Sequence, residues 1–305
     1  MSEPAGFKAA LQERLDAFAR ELPGVEEGNV GALHRARVAS RRLRELLPVL
    51  ALDRGTNRKL ARRLKKVTRT LGIVRELDVL GLLMEALRRD GRCAPAALER
   101  VGACVAEARA EARERLIGKR RIAKLSKLVA RLRRVSEELA HVNTNGRRPL
   151  ARRAAHAQRW ALEARMANRA ARVRTALEDA GSVYAAGQLH DLRIAIKKLR
   201  YAAELSGDGG GRLTADIAML RAGQDLLGRL HDLEVLLSWV REVQVSLSPP
   251  DLRIWRALGA MAHTIEDDCG RLHARVMHES PRLMAVANRM GASRPAAQPR
   301  REAIG

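Results

Sequence analysis

Two rows of cations, each led by a histidine, stand 156 positions apart in the chain. They read LHRARVASRRLR at residues 33–44 and LHDLRIAIKKLR at residues 189–200. In both rows an Arg follows the His after three residues and another Arg follows after ten. A guanidinium group can bind two phosphate oxygens at once, and ammonium and imidazole groups are more compact donors. These residue types therefore predict the binding of a phosphate-rich anion.

Helical spacing would place the cations of each row on one face. The sets are His34, Arg37, Arg41 and Arg44 in the first row, and His190, Arg193, Lys197 and Arg200 in the second. Spacings of three, four and three residues keep each set within an arc of about 80° on an α-helix. Leucine and alanine fill the neighbouring arc, which is the face that a bundle buries. A single row of this kind is usually a solvated face, but its repetition favours a binding face.

A second segment repeats at the same offset, because LGIVRELDVL at residues 71–80 corresponds to LGRLHDLEVL at residues 227–236. This shared offset indicates a duplication. Each copy has a glycine inside a helical run, which predicts a helix break near Gly72 or a close helix crossing at Gly72 and Gly228. A base and two acids follow, namely Arg75, Glu76 and Asp78 in one copy, and His231, Asp232 and Glu234 in the other. The acids either cap the next helical segment or orient neighbouring guanidinium and imidazole groups, and both interpretations stay open.

The first half carries further cationic rows. They are Lys59, Arg62, Lys66 and Arg69, and further along the chain Lys124, Lys127, Arg131 and Arg134. The positions 156 residues after the first of these rows hold Ala215, Ala218, Ala222 and Asp225, so the second copy lacks it. Like charges one turn apart destabilise an isolated helix. Several such rows therefore indicate an anion that relieves the repulsion.

The composition favours a polyanion as the partner. There are 58 Lys and Arg against 35 Asp and Glu, a formal charge of +23, and the pI is near 11.3. A field of this sign attracts polyanions.

The three cysteines match neither a disulfide framework nor a zinc site, which predicts a cytoplasmic protein. We see no secretion signal and no uninterrupted apolar run that would span a bilayer, so we predict no membrane insertion.

Apolar residues recur at three and four positions along nearly the whole chain, which predicts an all-α protein. The expected helices cover residues 5–21, 30–51, 56–89, 95–118, 120–140, 149–180, 184–206, 212–244 and 251–278. Turn-forming sequences separate them, and HVNTNGRRP at 141–149 lies between the repeats. We therefore predict the boundary of two helical bundles there, and disorder in about the last dozen residues.

The repeated segments resemble the CHAD family, which is named for a conserved histidine α-helical domain. In that family a His-x-x-Arg helix with further Arg and Lys is followed by a helix that ends in a Gly-containing acidic motif. The matching residues are His34, Arg37, Arg41, Arg42 and Arg44, then His190, Arg193, Lys197, Lys198, Leu199, Arg200 and Tyr201, and for the later motifs Gly72, Arg75, Asp78, Gly228 and Asp232. Glu76 departs from the family, which more often has Asp there, but keeps the charge.

The resemblance covers about residues 25–285. It implies two four-helix bundles, related by an approximate twofold axis, around a basic groove or pore. The repeat halves would be about 25–145 and 146–285, with an N-terminal helix at 1–24 and a flexible basic tail at 286–305. It also implies binding of inorganic polyphosphate and, from some relatives, association with polyphosphate or polyhydroxyalkanoate granules.

We therefore predict a polyphosphate site with no catalytic residue, metal ion or cofactor. Its binding residues would be His34, Arg37, Arg41, Arg42, Arg44, Lys66, Arg69, Arg75, His190, Arg193, Lys197, Lys198, Arg200 and His231, supported by the acids Glu76, Asp78, Asp232 and Glu234. Polyphosphate hydrolysis would normally need acids arranged to hold metal ions near the scissile group, and the sequence shows no such arrangement. The stretch GDGGG at 207–211 lacks the Lys and the Ser or Thr of a phosphate-binding loop, so it predicts a flexible connection.

Two other functions stay open at this point. A sequence-neutral nucleic-acid binder would use the same cations against backbone phosphates. However, the 2 Phe, 3 Trp and 2 Tyr leave little to stack on single-stranded bases. A granule-associated scaffold protein would use the basic face for the polyanion and another face for a partner.

The histidines that lead the rows lie near helix starts among cations, so we expect neutral rings until phosphate binds.

Overall fold

A computed structural model describes the backbone of residues 5–50, 52–117, 119–144, 148–206 and 210–292, and the side chains of residues 9–50, 52–117, 124–139, 156–157, 159–206 and 211–292. Within these ranges the regular elements are all helices, so the predicted all-α class is confirmed. Parts of two predicted connections, at 145–147 and 207–209, lie outside the described residues, as does segment 293–305 of the predicted tail.

The helices agree with the predicted ones in number and order apart from a short extra element near the N-terminus. They are α1 Ala5–Arg20, α2 Leu22–Glu26, α3 Val30–Leu46, α4 Arg54–Asp90, α5 Pro95–Ile117, α6 Lys119–Thr144, α7 Arg148–Ala180, α8 Ala186–Leu205, α9 Gly210–Val245 and α10 Leu252–Ala292. A 3-10 turn, Leu47–Val49, follows α3. None of the helices in the described ranges combines the length and the apolar composition that a membrane span needs.

Capping residues determine where the helices with the first-copy motifs begin and end. The side chain of Asn29 accepts a hydrogen bond from the backbone N–H of Ala32 at 2.9 Å, which starts α3. Asp53 accepts one from the backbone N–H of Thr56 at 2.9 Å and starts α4. Such caps satisfy donors that the first turn of a helix leaves unpaired. Gly91 ends α4 with a φ of 65°, a left-handed conformation that glycine adopts without strain.

The glycines of the second repeated segment do not break their helices. α4 continues through Gly72 and α9 continues through Gly228, so the predicted break near Gly72 is wrong. The alternative prediction, a close helix crossing, stays a prediction, because the neighbour at each glycine is an arginine side chain at an ordinary contact distance. A Cβ atom at Gly72 would lie 3.5 Å from Arg37 Nε, and a Cβ atom at Gly228 would lie 3.9 Å from Arg193 Nε. In both copies a guanidinium group therefore packs over the glycine face of the next helix.

α10 continues further than the sequence predicts. It ends at Ala292 rather than near residue 278, and it contains Pro281. Val286, Ala287 and Met290 prolong its buried stripe and pack in an apolar core. Because burial of this stripe stabilises the extra turns, residues 286–292 are helical although the sequence placed them in a flexible tail.

Two apolar cores hold the helices together. The first contains α1, α2, α3, the N-terminal part of α4, and α6. The second contains the rest of α4, α5, and most of the buried residues of α7 to α10. The change from one core to the other falls inside α4, between Val74 and Leu77. α4 therefore belongs to both cores, and α1, which the sequence placed outside the domain, contributes Leu11, Leu15 and Phe18 to the first.

Candidate anion-binding site

The two cationic rows meet because the helices that carry them pack against each other. α3 contacts α8, and α4 contacts α9, so each repeated segment touches its own counterpart. Across the α3/α8 contact, the guanidinium carbon of Arg41 lies 5.6 Å from the centre of the Tyr201 ring. Arg42 Nε lies 3.9 Å from Glu204 Oε2 across the same contact. The duplication therefore places the two rows side by side.

Cations from both copies form one group at this contact, which we call the cationic cluster. Its members are Arg37, Arg41 and Arg44 from α3, Arg75 from α4, and Arg193 and Lys197 from α8. Arg37 is close enough to Arg193 and Arg75 to feel the charge of both. His34 lies beside Arg37, and His190 lies beside Arg193. Positive charge is thus continuous from one leading histidine to the other.

Burial among like charges lowers the pKa of three basic groups in the cationic cluster, Arg37, Arg41 and Lys197. The pKa of Arg41 falls to about 10, mainly because burial removes its guanidinium group from water. The pKa of Lys197 falls to about 6, first because of burial and then because nearby arginines repel its ammonium form. Near neutral pH, Lys197 is therefore largely an uncharged amine in the free protein.

The cationic cluster has few partners inside the protein. The ion pairs formed within the described part of the chain do not include Arg37, Arg41, Arg193 or Lys197. The Nε atoms of Arg37 and Arg193, which pack over the two glycines, are buried and have no hydrogen-bond partner among the described residues. A buried donor without a partner costs about 1 to 3 kcal/mol. Because these guanidinium groups also form no ion pair among the described residues, an anion would offset their charge.

Two carboxylates of the second repeated segment lie beside the cationic cluster. Burial raises the pKa of Asp232, while the charges of Arg193 and Arg75 act in the opposite direction. Glu76 is exposed, and its charge acts on both Arg37 and Asp232. These two acids therefore lie where the sequence predicted supporting carboxylates. They are outnumbered by the cations, so the site stays positive.

The leading histidines lie at the two ends of the cationic cluster. Partial burial of the His34 ring, followed by the charge of Arg75, lowers its pKa. His190 packs against His231 with the ring centroids 4.8 Å apart. Burial of the His190 ring, followed by the charge of His231, lowers its pKa as well. The lowered pKa agrees with the predicted preference for a neutral ring, although its first cause is burial and not the neighbouring cations.

Arg200 is used inside the fold, although the sequence predicted it as a binding residue. It is only 7% exposed. Its Nε donates a hydrogen bond to Gln224 Oε1 at 3.1 Å, and its guanidinium group forms an ion pair with Glu204. Its guanidinium carbon also lies 4.5 Å from the centre of the Tyr201 ring. These contacts indicate a structural role, and a role in binding stays a prediction.

Asp78 and Glu234, which occupy equivalent positions in the two copies, contact different neighbours. Asp78 is buried, and its Oδ1 accepts hydrogen bonds from Arg109 Nε at 2.6 Å and from Arg113 Nη2 at 3.0 Å. Its equivalent, Glu234, lies 3.7 Å from His231 Nδ1. Asp78 therefore links α4 to α5 through hydrogen bonds, whereas Glu234 lies beside the imidazole group of His231 in the predicted site.

We expect Asp78→Asn to lower the free energy of unfolding by about 3 kcal/mol, because two guanidinium groups lose a shared carboxylate. The partial exposure of Arg109 and Arg113 keeps this loss at the lower end for buried pairs. Urea denaturation followed by circular dichroism measures the change. Glu85→Gln removes an exposed ion pair with Arg88 and is the matched control, with an expected change below about 0.5 kcal/mol. Similar small changes in both variants would contradict the role of Asp78.

α7 contributes arginines that the repeated motifs did not reveal. Glu45 of α3, which is largely buried, forms ion pairs with Arg165 at 2.6 Å and with Arg169 at 3.5 Å. Burial, followed by the charge of Arg169, lowers the pKa of Lys198. Positive charge from α7 therefore reaches the edge of the cationic cluster. The available signal was Glu45 itself, an acid inside a helix whose other charged residues are all basic.

Three other predicted binding residues are exposed. Arg42 lies beside Glu204, while Lys66 and Arg69 lie on α4. Lys66 lines a cleft between α4 and α6. No contact among the described residues joins Lys66 or Arg69 to the cationic cluster. A part for these residues in binding stays a prediction.

The side chains of the cationic cluster are those of an anion receptor. Guanidinium groups donate and cannot accept hydrogen bonds, and a protonated amine has the same property. In the part of the chain that the structure describes, no group of three His, Cys, Asp or Glu side chains is placed to hold a metal ion.

Comparisons with known proteins agree with the fold and the repeated segments. A sequence model described as the CHAD domain matches residues 9–241. The crystal structure of the CHAD domain from the plant Ricinus communis is 24% identical, with a TM-score of 0.57 over 95% of this chain and 92% of that one. PptA from Streptomyces chartreusis is 17% identical, with a TM-score of 0.57 over 95% of this chain and 99% of that one. These structural likenesses show the fold alone, and no protein with a curated description matches.

Proposed function

Because the chain belongs to the CHAD domain family, which is associated with polyphosphate, we propose that its cationic cluster binds inorganic polyphosphate without hydrolysing it. One observation carries this proposal above the others. The rows from both copies meet in one cluster, and its central basic groups have no carboxylate partner among the described residues. A polyanion would supply the negative charge that these basic groups lack inside the protein.

The ligand and the cationic cluster have complementary chemistry. A linear polyphosphate carries about one negative charge per phosphate and offers only oxygen acceptors. The cluster offers five guanidinium groups and one amine, all of them donors when protonated, from three helices. Cations along a helical row recur at about one turn, or 5.4 Å, which suits an extended chain of charges better than a single compact anion.

Binding would also relieve unfavourable features of the free protein. The guanidinium groups of Arg37 and Arg193, which form no ion pair among the described residues, would gain phosphate oxygens as partners. The negative charge would stabilise the ammonium form of Lys197 against its arginine neighbours. Since both effects exist only in the complex, they favour the bound state directly.

Calorimetric titration with long-chain polyphosphate tests the proposal. We expect Arg37→Ala and Arg193→Ala each to weaken binding about 10- to 100-fold, because a charge-assisted hydrogen bond contributes about 1.5 to 3 kcal/mol. His34→Ala and Lys197→Ala complete the series. Arg256→Ala removes an exposed cation of α10 and is the matched control, with an expected change below about twofold. Unchanged affinity across the series would place the site elsewhere.

Two further assays separate this function from its rivals. Polyphosphate should displace duplex DNA or RNA from the protein at matched phosphate concentration, and a failure to do so would favour nucleic-acid binding. Release of phosphate from polyphosphate by the pure protein with a divalent metal would contradict binding without turnover. A cytoplasmic location and association with polyphosphate or polyhydroxyalkanoate granules stay predictions from the sequence. Localisation of a tagged chain in cells with and without granules would test them.

A further inference from the structure

Two sets of four helices differ in how their members contact each other. α7 packs on α8, α8 on α9, α9 on α10, and α10 on α7, so these helices form a complete ring. In the first core, α6 packs on α1, α1 on α3, and α3 on α4, but α4 and α6 have only a marginal contact. Among the residues whose side chains the structure describes, which exclude 118–123 at the start of α6, the first ring is therefore open between α4 and α6.

A cleft of about 420 Å³ occupies this open side, and we call it the α4/α6 groove. Its floor is apolar and includes Leu125 and Leu128, while its walls carry four exposed cations. They are Arg63 and Lys66 on α4, and Lys124 and Lys127 on α6. In each wall the two cations stand three residues apart, which is about one helical turn. The groove thus has an apolar floor between two basic rims.

We propose that the α4/α6 groove docks an amphipathic helix of a protein partner whose apolar stripe is flanked by carboxylates. A helix that lays its apolar face into a groove uses anchors at positions i, i+3 or i+4, and i+7. Carboxylates on both sides of that stripe would face the basic rims, because their spacing along a helix matches the spacing of the cations in each wall.

Charge and shape favour this occupant over others. The C-terminal segment 293–305 of this chain carries Arg294, Arg300 and Arg301 against one acid, Glu302, so its charge has the same sign as the rims. Polyphosphate would gain nothing from an apolar floor, which offers no donors. A fatty acid has one carboxylate, which would leave cations on the opposite wall and on the next turn without a partner.

A synthetic peptide tests the proposal on the full chain. The probe is a fluorescein-labelled helix of about four turns, with leucines at the anchor positions and glutamates on both flanks. Fluorescence anisotropy measures its binding without polyphosphate, because Lys66 of the groove is also a predicted polyphosphate-binding residue. We expect saturable binding that is weakened at least about 10-fold by the double change Lys124→Glu/Lys127→Glu, and also weakened by Lys66→Glu on the opposite wall.

Two controls make the test specific to the groove. Arg253→Glu/Arg256→Glu reverses two exposed cations with the same three-residue spacing on α10, and it should leave binding unchanged. A peptide with the same residues in shuffled order should bind at least about 10-fold more weakly. Equal loss in both double variants, equal binding of the shuffled peptide, or binding of laurate but not of the helix would each overturn the proposal. Because polyphosphate affinity is measured separately, failure here is distinguishable from failure of the proposed function.

Discussion

The double variant Arg37→Gln/Arg193→Gln is expected to bind polyphosphate at least about 100-fold more weakly than the native chain, yet to unfold at a higher temperature. Affinity falls because two guanidinium groups that can each bind phosphate oxygens are lost, and each contributes about 1.5 to 3 kcal/mol. Stability rises because the two groups repel each other in the free protein and bury Nε atoms without partners. A gain of about 1 kcal/mol would raise the melting temperature by about 2 to 4 °C.

Calorimetry and thermal unfolding without ligand measure the two effects. Arg200→Gln is the matched control, since it changes the same residue type in the same row. Arg200 holds Gln224 and Glu204 inside the fold, so its loss should lower the melting temperature. A lower melting temperature in the double variant as well would mean that Arg37 and Arg193 stabilise the free protein, contrary to the role assigned to them.

Lys197→Met is expected to remove a pH dependence of stability and a proton that accompanies binding. The folded pKa of Lys197 is about 6 and its ordinary value is 10.5. Between these values the unfolded chain binds a proton that the folded chain does not, so the free energy of unfolding rises with pH across this window. For one proton the slope is at most about 1.4 kcal/mol per pH unit, and solvent screening reduces it. The Met variant should have a flatter profile.

Binding should have the opposite linkage. A polyanion favours the ammonium form of Lys197, so the complex takes up a proton near neutral pH, and affinity falls as pH rises. Titrations in two buffers with different heats of ionisation count that proton, and urea denaturation at several pH values gives the stability slope. Lys65→Met, at an exposed position on α4, is the control. Identical profiles and proton counts in all three proteins would show that Lys197 stays charged in the free state.

The sequence predicted the helices well, because they depend on local signals, whereas the meeting of the two basic faces was implied only by the family resemblance. Apolar spacing determines where helices form, and the constant offset of the duplicated segments identifies corresponding helices. Gly72 shows the limit of such local reasoning. Its low helix propensity predicted a break, but α4 is continuous through Gly72, where the Arg37 side chain of α3 packs against it.

The parts of the site that the sequence did not predict depend on contacts between distant segments. Asp78 looked like a member of the basic site, but its partners Arg109 and Arg113 lie on α5, outside the repeated motifs. Arg44 and Arg200 occupy equivalent positions, yet one belongs to the cationic cluster and the other is held by Gln224 and Glu204. A repeat in sequence therefore gives equivalent positions without giving equivalent surroundings.

The long helix α4 has a consequence for how far the duplicated halves can act as separate units. Its leucines before Val74 lie in one apolar interior and those after Leu77 lie in the other, with no interruption between them. α4 is therefore one continuous helix that contributes to both cores. A fragment that stopped at the midpoint of the chain would lose the residues of α7 to α10 that share a core with the later leucines of α4, so we expect the first half alone to be less stable than the same residues in the full chain.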